Sequence, residues 1–62
     1  MINQLQLEEM VWDKTVGSGD NEISTTNLVQ SIEKQLGVKL NVVQERIVQR
    51  KHRLCQLMVE FP

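Results

Sequence analysis

Two helices and the turn that joins them can be read from residues 24–41, STTNLVQSIEKQLGVKLN. Ser24 is suited to begin the first of them, because a serine hydroxyl can accept a hydrogen bond from a free backbone N–H group of the first turn. Leu28, Ile32 and Leu36 recur at every fourth position, which predicts an amphipathic helix over residues 25–36. Gly37 follows the last apolar position, where a residue in the left-handed conformation commonly ends a helix.

A longer helix is predicted over residues 42–61. Asn41 and Gln44 have the spacing of a reciprocal N-terminal cap, and Pro62 ends the helix. Apolar residues follow a heptad repeat that only Arg50 interrupts, which predicts one main apolar seam along this helix. The seam consists of Leu40, Val43, Ile47, Leu54, Leu57 and Phe61. A weaker second stripe, expected to lie off the main seam, consists of Val48, Cys55 and Val59.

Residues 3–16 predict another helix, and residues 17–23 predict a solvated loop. Apolar residues fall on two opposite sides of this helix at about 100° per residue. One side has Leu5, Trp12 and Val16, and the other has Leu7, Met10 and Val11. No segment reads as a strand. The sequence therefore predicts an all-α fold in a single domain over residues 1–62, namely a small three-helix bundle with a long third helix.

The composition predicts neither an internal disulfide nor a structural zinc site to stabilise this small chain. Sixty-two residues bury only a thin core, and the single cysteine, Cys55, rules out an internal disulfide. His52 and Cys55 cannot complete a structural zinc site, which takes four ligands. No apolar run is long enough to span a bilayer, and no secretion signal is visible. We expect a cytoplasmic location, or a nuclear one in a eukaryote, and no membrane contact.

One pair of residues has the spacing of catalytic groups. His52 and Cys55 are three residues apart and share a helix face, as an imidazole and the thiol it activates would. A catalytic pair also needs an orienting group and a pocket. We therefore interpret the pair as a surface histidine beside a semi-buried thiol. The sequence predicts no enzyme, with no catalytic residue, metal site, cofactor or small-molecule substrate.

The apolar surface is more than three such helices readily cover, although a compact bundle in which the first helix is sandwiched and uses both of its faces is an alternative. At 1.5 Å per residue the third helix spans roughly 30 Å, whereas the other two span about 20 Å each. Monomers rarely expose large apolar patches, so the excess predicts a homodimer or another protein partner. The expected interface residues are Leu7, Met10, Val11, Val48, Leu54, Leu57, Met58 and Phe61.

Charge divides the chain in two. Residues 1–33 have six acids against one base, which gives −5, and residues 34–62 have six bases against two acids, which gives +4. The arginines at 46, 50 and 53 line one edge of the third helix. This edge is suited to straddle phosphates. The alternative interpretation, that the first and third helices attract each other across the fold, stays open.

The stretch from 23 to 53 resembles helix-turn-helix DNA-binding domains, in particular the DEK C-terminal domain. A capped helix is followed by residues 36–41, LGVKLN, and then by a basic helix with Ile47 seven residues after Leu40. Glu33 stands where the motif usually has a small residue, and the turn is one residue longer than its standard spacing. The resemblance implies that the third helix lies in the major groove. The candidate nucleic-acid-binding residues are Lys39, Gln44, Arg46, Gln49, Arg50 and Arg53.

Two hypotheses follow from the sequence. In the first, the chain is a small module for protein–protein interaction or homo-oligomerisation through apolar stripes on its first and third helices. In the second, it is a helix-turn-helix-like nucleic-acid-binding regulator that uses the basic edge of the third helix. The feature that discriminates them is the side of the third helix that is buried.

Overall fold

The computed structural model of the protein describes residues 2–19 and 22–60, and the side chains within these ranges up to Leu57. Three helices follow one another: α1 (Gln4–Trp12), α2 (Thr25–Leu36) and α3 (Val42–Glu60). A π-helical turn, Asp13–Gly17, extends α1, and no strand occurs within the described ranges. The predicted all-α bundle with a long third helix is confirmed. α3 packs mainly against α1, and also against α2 and the π-helical turn.

The ends of α2 and α3 are fixed by local hydrogen bonds. Ser24 Oγ accepts a hydrogen bond from the Asn27 N–H group at 3.2 Å, which caps α2. Asn41 Oδ1 accepts from the Gln44 N–H group at 2.8 Å, and Gln44 Oε1 accepts from the Asn41 N–H group at 2.9 Å. Both predicted caps are confirmed. Each involves residues no more than three apart, so the sequence contains all that they need.

The turn between α2 and α3 depends on a glycine and a glutamate. Gly37 adopts a φ of +72°, and its N–H group donates to the Glu33 carbonyl at 2.8 Å. The Glu33 carboxylate also accepts a hydrogen bond from the Leu40 N–H group at 2.8 Å. Glu33, which the helix-turn-helix pattern marks as a departure, therefore closes this longer turn from inside it.

The end of α1 differs from its prediction. The segment predicted to be α-helical up to residue 16 changes to a π-helical turn at Asp13. Leu7 and Val11 on α1 and Thr15 in the turn are all buried. In a regular α-helix, positions four apart drift by about 40° per step. The under-wound turn reduces this drift, so Thr15 stays on the side of the core, where its Oγ1 has no hydrogen-bond partner among the described residues.

The face of α3 that enters the core is not the predicted seam. Val48, His52 and Cys55 are at most 2% exposed, whereas Leu54 and Leu57 lie about half in solvent. Val48 and Cys55 of the weaker stripe are therefore buried, and the side chain of Val59 lies outside the described residues. The main seam is divided, because Leu40 belongs to the core whereas Leu54 and Leu57 do not. α3 contacts both other helices at once, and its buried face combines the small Val48 and Cys55 with the larger His52. The core consists of Leu7, Val11, Leu28, Val29, Ile32, Leu40, Val48 and Cys55.

Candidate functional site

The side of α3 that points away from the core is a continuous mixed surface. Arg50 and His52 are two residues apart, or about 200° around the helix, so they lie on opposite sides. Six residues on the Arg50 side lie within an arc of about 100° around the helix axis. We call this surface the outer face of α3. It consists of Val43, Arg46, Arg50, Arg53, Leu54 and Leu57.

Three aliphatic side chains of the outer face are uncovered. Val43 is 66% exposed, Leu54 56% and Leu57 49%. Their positions, together with the half-buried Ile47, follow spacings of four, seven and three that keep them on one line along a helix. The line from Val43 to Leu57 is roughly 21 Å long, about four turns. Single exposed apolar residues are common on proteins, but an aligned series is typical of a contact surface.

A shallow groove joins the outer face to α1. Its floor includes Ile47 and Leu54, and Glu8 lies at its α1 edge beside Arg50. Gln4 Nε2 donates a hydrogen bond to Glu8 Oε2 at 2.9 Å, which holds the carboxylate at this edge. The groove therefore continues the apolar surface from the outer face toward α1, where Glu8 provides an acidic border.

One lysine of α3 lies among acidic residues of α1 and of the π-helical turn. Lys51 Nζ lies 5.6 Å from the centroid of the Trp12 ring, a cation–π contact between α3 and α1. Glu9 and Asp13 line the same hollow as these two side chains. Lys51 is therefore the basic residue that shares this hollow with the acids. Arg50 touches this region only through the groove beside Glu8.

The candidate nucleic-acid-binding residues divide into two groups. Five of them are exposed, namely Lys39, Arg46, Gln49, Arg50 and Arg53. Within the described ranges the three arginines have no ion-pair partner. Gln44 differs from the rest, because its side-chain oxygen is engaged in the cap of α3. It also lies two residues from Arg46, about 160° away around the helix, so the structure separates it from the arginine edge.

The candidate interface residues also divide. Leu7, Val11 and Val48 are at most 1% exposed and belong to the core, so their assignment to an exposed interface is corrected. Met10 is partly buried against that core. Leu54 and Leu57 lie on the outer face. The side chain of Met58 and the whole of Phe61 fall outside the described residues.

One interface candidate was missed by the sequence analysis. Val43 belongs to the predicted heptad seam but was not among the predicted interface residues. With 66% of its side chain exposed, it begins the apolar line. The interruption of the seam by Arg50 was the available signal, because a buried unpaired arginine is costly.

The pair of His52 and Cys55 is buried. His52 is 2% exposed, so the prediction of a surface histidine is wrong. Its Nδ1 lies 2.9 Å from Thr25 Oγ1, a hydrogen bond that connects α3 to α2, and its Nε2 has no partner among the described residues. Burial lowers the pKa of His52 below its usual 6.5, because it disfavours the charged imidazole. The nearby backbone of Ile23 favours the charged form and so raises this pKa in part.

The thiol of the same pair is held in its neutral form. Burial raises the pKa of Cys55, and the positive charge of Lys51 opposes this only in part. A nucleophilic thiol needs the opposite conditions, namely a low pKa and access to substrate. The geometry of the pair therefore supports a role in packing. In the described part of the chain, no group of three or more His, Cys, Asp or Glu side chains is arranged to hold a metal ion.

Comparisons with known proteins do not assign a function to this chain, so a functional assignment rests on its residues. No family model, curated protein or solved structure matches this chain. Among the described helices, none combines the length and the apolar character needed to cross a bilayer. The outer face of α3 is the surface with the most specific pattern of chemistry, and we take it as the candidate site.

Proposed function

We propose that this chain is a protein-interaction module that docks an amphipathic helix of another polypeptide along the outer face of α3. The observation that carries the proposal is the aligned exposure of Val43, Leu54 and Leu57 on a helix whose opposite side already forms the core. A helix laid along such a line buries its own apolar stripe against it. No described segment of the chain covers this line.

The shape of the surface favours a helix over an extended peptide. The exposed apolar residues follow the heptad spacing that fits a second helix. The groove toward α1 provides a concave surface along one side of that helix. An extended peptide binds best by adding to a sheet edge, and the described residues contain no strand.

The test uses two neighbouring valines. Val42 and Val43 are 65% and 66% exposed but lie about 100° apart around α3. The probe is a labelled three-heptad peptide with leucines on one face, prepared in acidic, neutral and basic versions and titrated by fluorescence anisotropy. We expect Val43→Ser to weaken the tightest version about five- to tenfold, because about 1 kcal/mol of apolar contact is lost.

The matched control is Val42→Ser, which removes the same atoms from the same turn of α3 and is expected to change the affinity less than twofold. Circular dichroism establishes that both variants keep the helical content of the parent chain. If none of the three peptides binds, or if both variants weaken binding equally, the outer face is not a helix-docking surface.

A second candidate function rests on the exposure of the arginines. Arg46, Arg50 and Arg53 have no ion-pair partner in the described ranges and are free to contact phosphates, as the resemblance to helix-turn-helix domains implies. Its test is the anisotropy of a labelled random-sequence duplex at low and moderate salt. Arg50→Ala is expected to weaken binding to all sequences and to lower the salt slope by about one unit. Absence of binding at low salt removes this candidate.

A further inference from the structure

The outer face of α3 combines an apolar line with an excess of positive charge. Arg46 and Arg53 border the line on one side, and Arg50 interrupts it at its centre. On the other side, toward α1, Lys51 and Glu8 line the groove. Three arginines therefore lie along the exposed aliphatic residues, whereas Lys51 shares a hollow with Glu9 and Asp13 and does not add to this excess. A partner that covers this line must bring its own groups close to these charges.

We propose that the docked helix is acidic, with a carboxylate opposite Arg50 and further carboxylates along its flanks. This inference rests on the proposed function and specifies its partner. A hydrophobic helix alone would desolvate the central guanidinium without pairing it, which is costly. A carboxylate at the same position forms a charge-assisted hydrogen bond, and an arginine can hold it by two N–H groups at once.

The position of Arg50 also argues against a second copy of this chain as the occupant. Arg50 is seven residues from both Val43 and Leu57, so it is the midpoint of the exposed line. A two-fold axis that pairs this line with itself, parallel and in register or antiparallel about its midpoint, therefore brings Arg50 against Arg50 of the other copy. Like charges placed together at the centre of an interface oppose association.

The test compares the three labelled heptad peptides, which share one leucine face and differ only in having Glu, Gln or Lys at the other variable positions. Their helicity is matched with a staple on the solvent side and checked by circular dichroism. We expect the Glu peptide to bind at least about tenfold more tightly than the Gln peptide, and the Lys peptide to bind most weakly. Higher salt should narrow these differences.

Charge reversal locates the selectivity at one residue. Arg50→Glu is expected to weaken the binding of the Glu peptide and to strengthen that of the Lys peptide, so that the difference between their affinities becomes smaller. Lys34→Glu is the matched control, because Lys34 is exposed on α2 and the substitution changes the net charge by the same amount. This variant is expected to leave the difference between the affinities of the Glu and Lys peptides unchanged.

The outcomes distinguish a failure of the acidic-partner proposal from a failure of the docking function. If the Gln peptide binds as tightly as the Glu peptide, the proposed docking function stands and the acidic partner is refuted. If no peptide binds, the docking function itself fails. Sedimentation equilibrium provides the remaining outcome: a dimer that Leu54→Ser dissociates identifies the occupant as a second copy and also overturns the acidic partner.

Discussion

Two identical substitutions on α3 test which of its faces is buried. Val48 is completely buried, whereas Val43 is 66% exposed, so Val48→Ala and Val43→Ala remove the same two methyl groups from opposite environments. Both replacements gain the same helix propensity, because alanine is the better helix former. The difference between the two variants therefore measures burial alone.

The size of the effect follows from the exposure of each side chain. Removal of two buried methyl groups from Val48 costs about 1.6 kcal/mol of transfer free energy, and the cavity left behind adds to it. After the gain in propensity, we expect a net loss of about 2 kcal/mol for Val48→Ala. At Val43 only about a third of this transfer term applies, and the gain in propensity roughly cancels it.

The assay is unfolding in urea, followed by circular dichroism and by the fluorescence of Trp12 so that two probes check for a two-state transition. Thermal unfolding should place Val48→Ala about 8–16 °C below the parent chain and leave Val43→Ala close to it. Measurements at two protein concentrations show whether association contributes. Equal losses, or a larger loss at Val43, would refute the orientation of α3 in which Val48 is buried and Val43 is exposed.

Three further predictions concern the core and the turn. As the pH falls below about 6.5, the chain should become less stable, because the unfolded state protonates His52 more readily than the folded state does; His52→Gln should flatten this slope in urea titrations. The thiol of Cys55 should react slowly with a disulfide reagent in the native state and rapidly in urea, because it is buried and its pKa is raised. Gly37→Ala should destabilise the chain by about 1–2 kcal/mol in urea unfolding, because φ at this residue is +72°.

Each of these predictions has an internal comparison. A stability that is flat between pH 7 and pH 5 contradicts the burial of a neutral His52, since a group with a lowered folded pKa must lose its contribution as the pH falls. A native thiol that reacts as fast as the unfolded one contradicts the burial of Cys55. Gly17→Ala is the control for Gly37→Ala, because Gly17 has no positive φ and an added Cβ meets only ordinary contacts there.

Both ends of α2 and the start of α3 could be predicted because their causes are local, whereas Pro62, predicted to end α3, lies outside the described residues. Ser24 and the pair Asn41 and Gln44 each satisfy backbone groups within three residues, and Gly37 supplies the left-handed conformation that ends α2. The π-helical turn after α1 could not be predicted in the same way. It brings Thr15 to the core side of α1, and only the packing of that turn against α3 makes this position matter.

The candidate site was predicted in part. The sequence indicated an apolar excess on α3 and an arginine edge, and Leu54 and Leu57 are exposed as an interface requires. It assigned Leu7, Val11 and Val48 to the same interface because an apolar stripe looks the same whether it faces a core or a partner. It also treated His52 as a surface residue, since the contact with Thr25 joins positions 27 residues apart.

The sequence by itself determined that this chain forms three helices, where α2 begins and ends and where α3 begins, and that more apolar surface exists than one small core can take. Only the tertiary structure decided which face of α3 enters that core. Both faces have apolar residues at helical spacing, so local propensity does not distinguish them. The choice depends on how α1 and α2 fit together around α3, and close packing there favours Val48 and Cys55 over the larger Leu54 and Leu57.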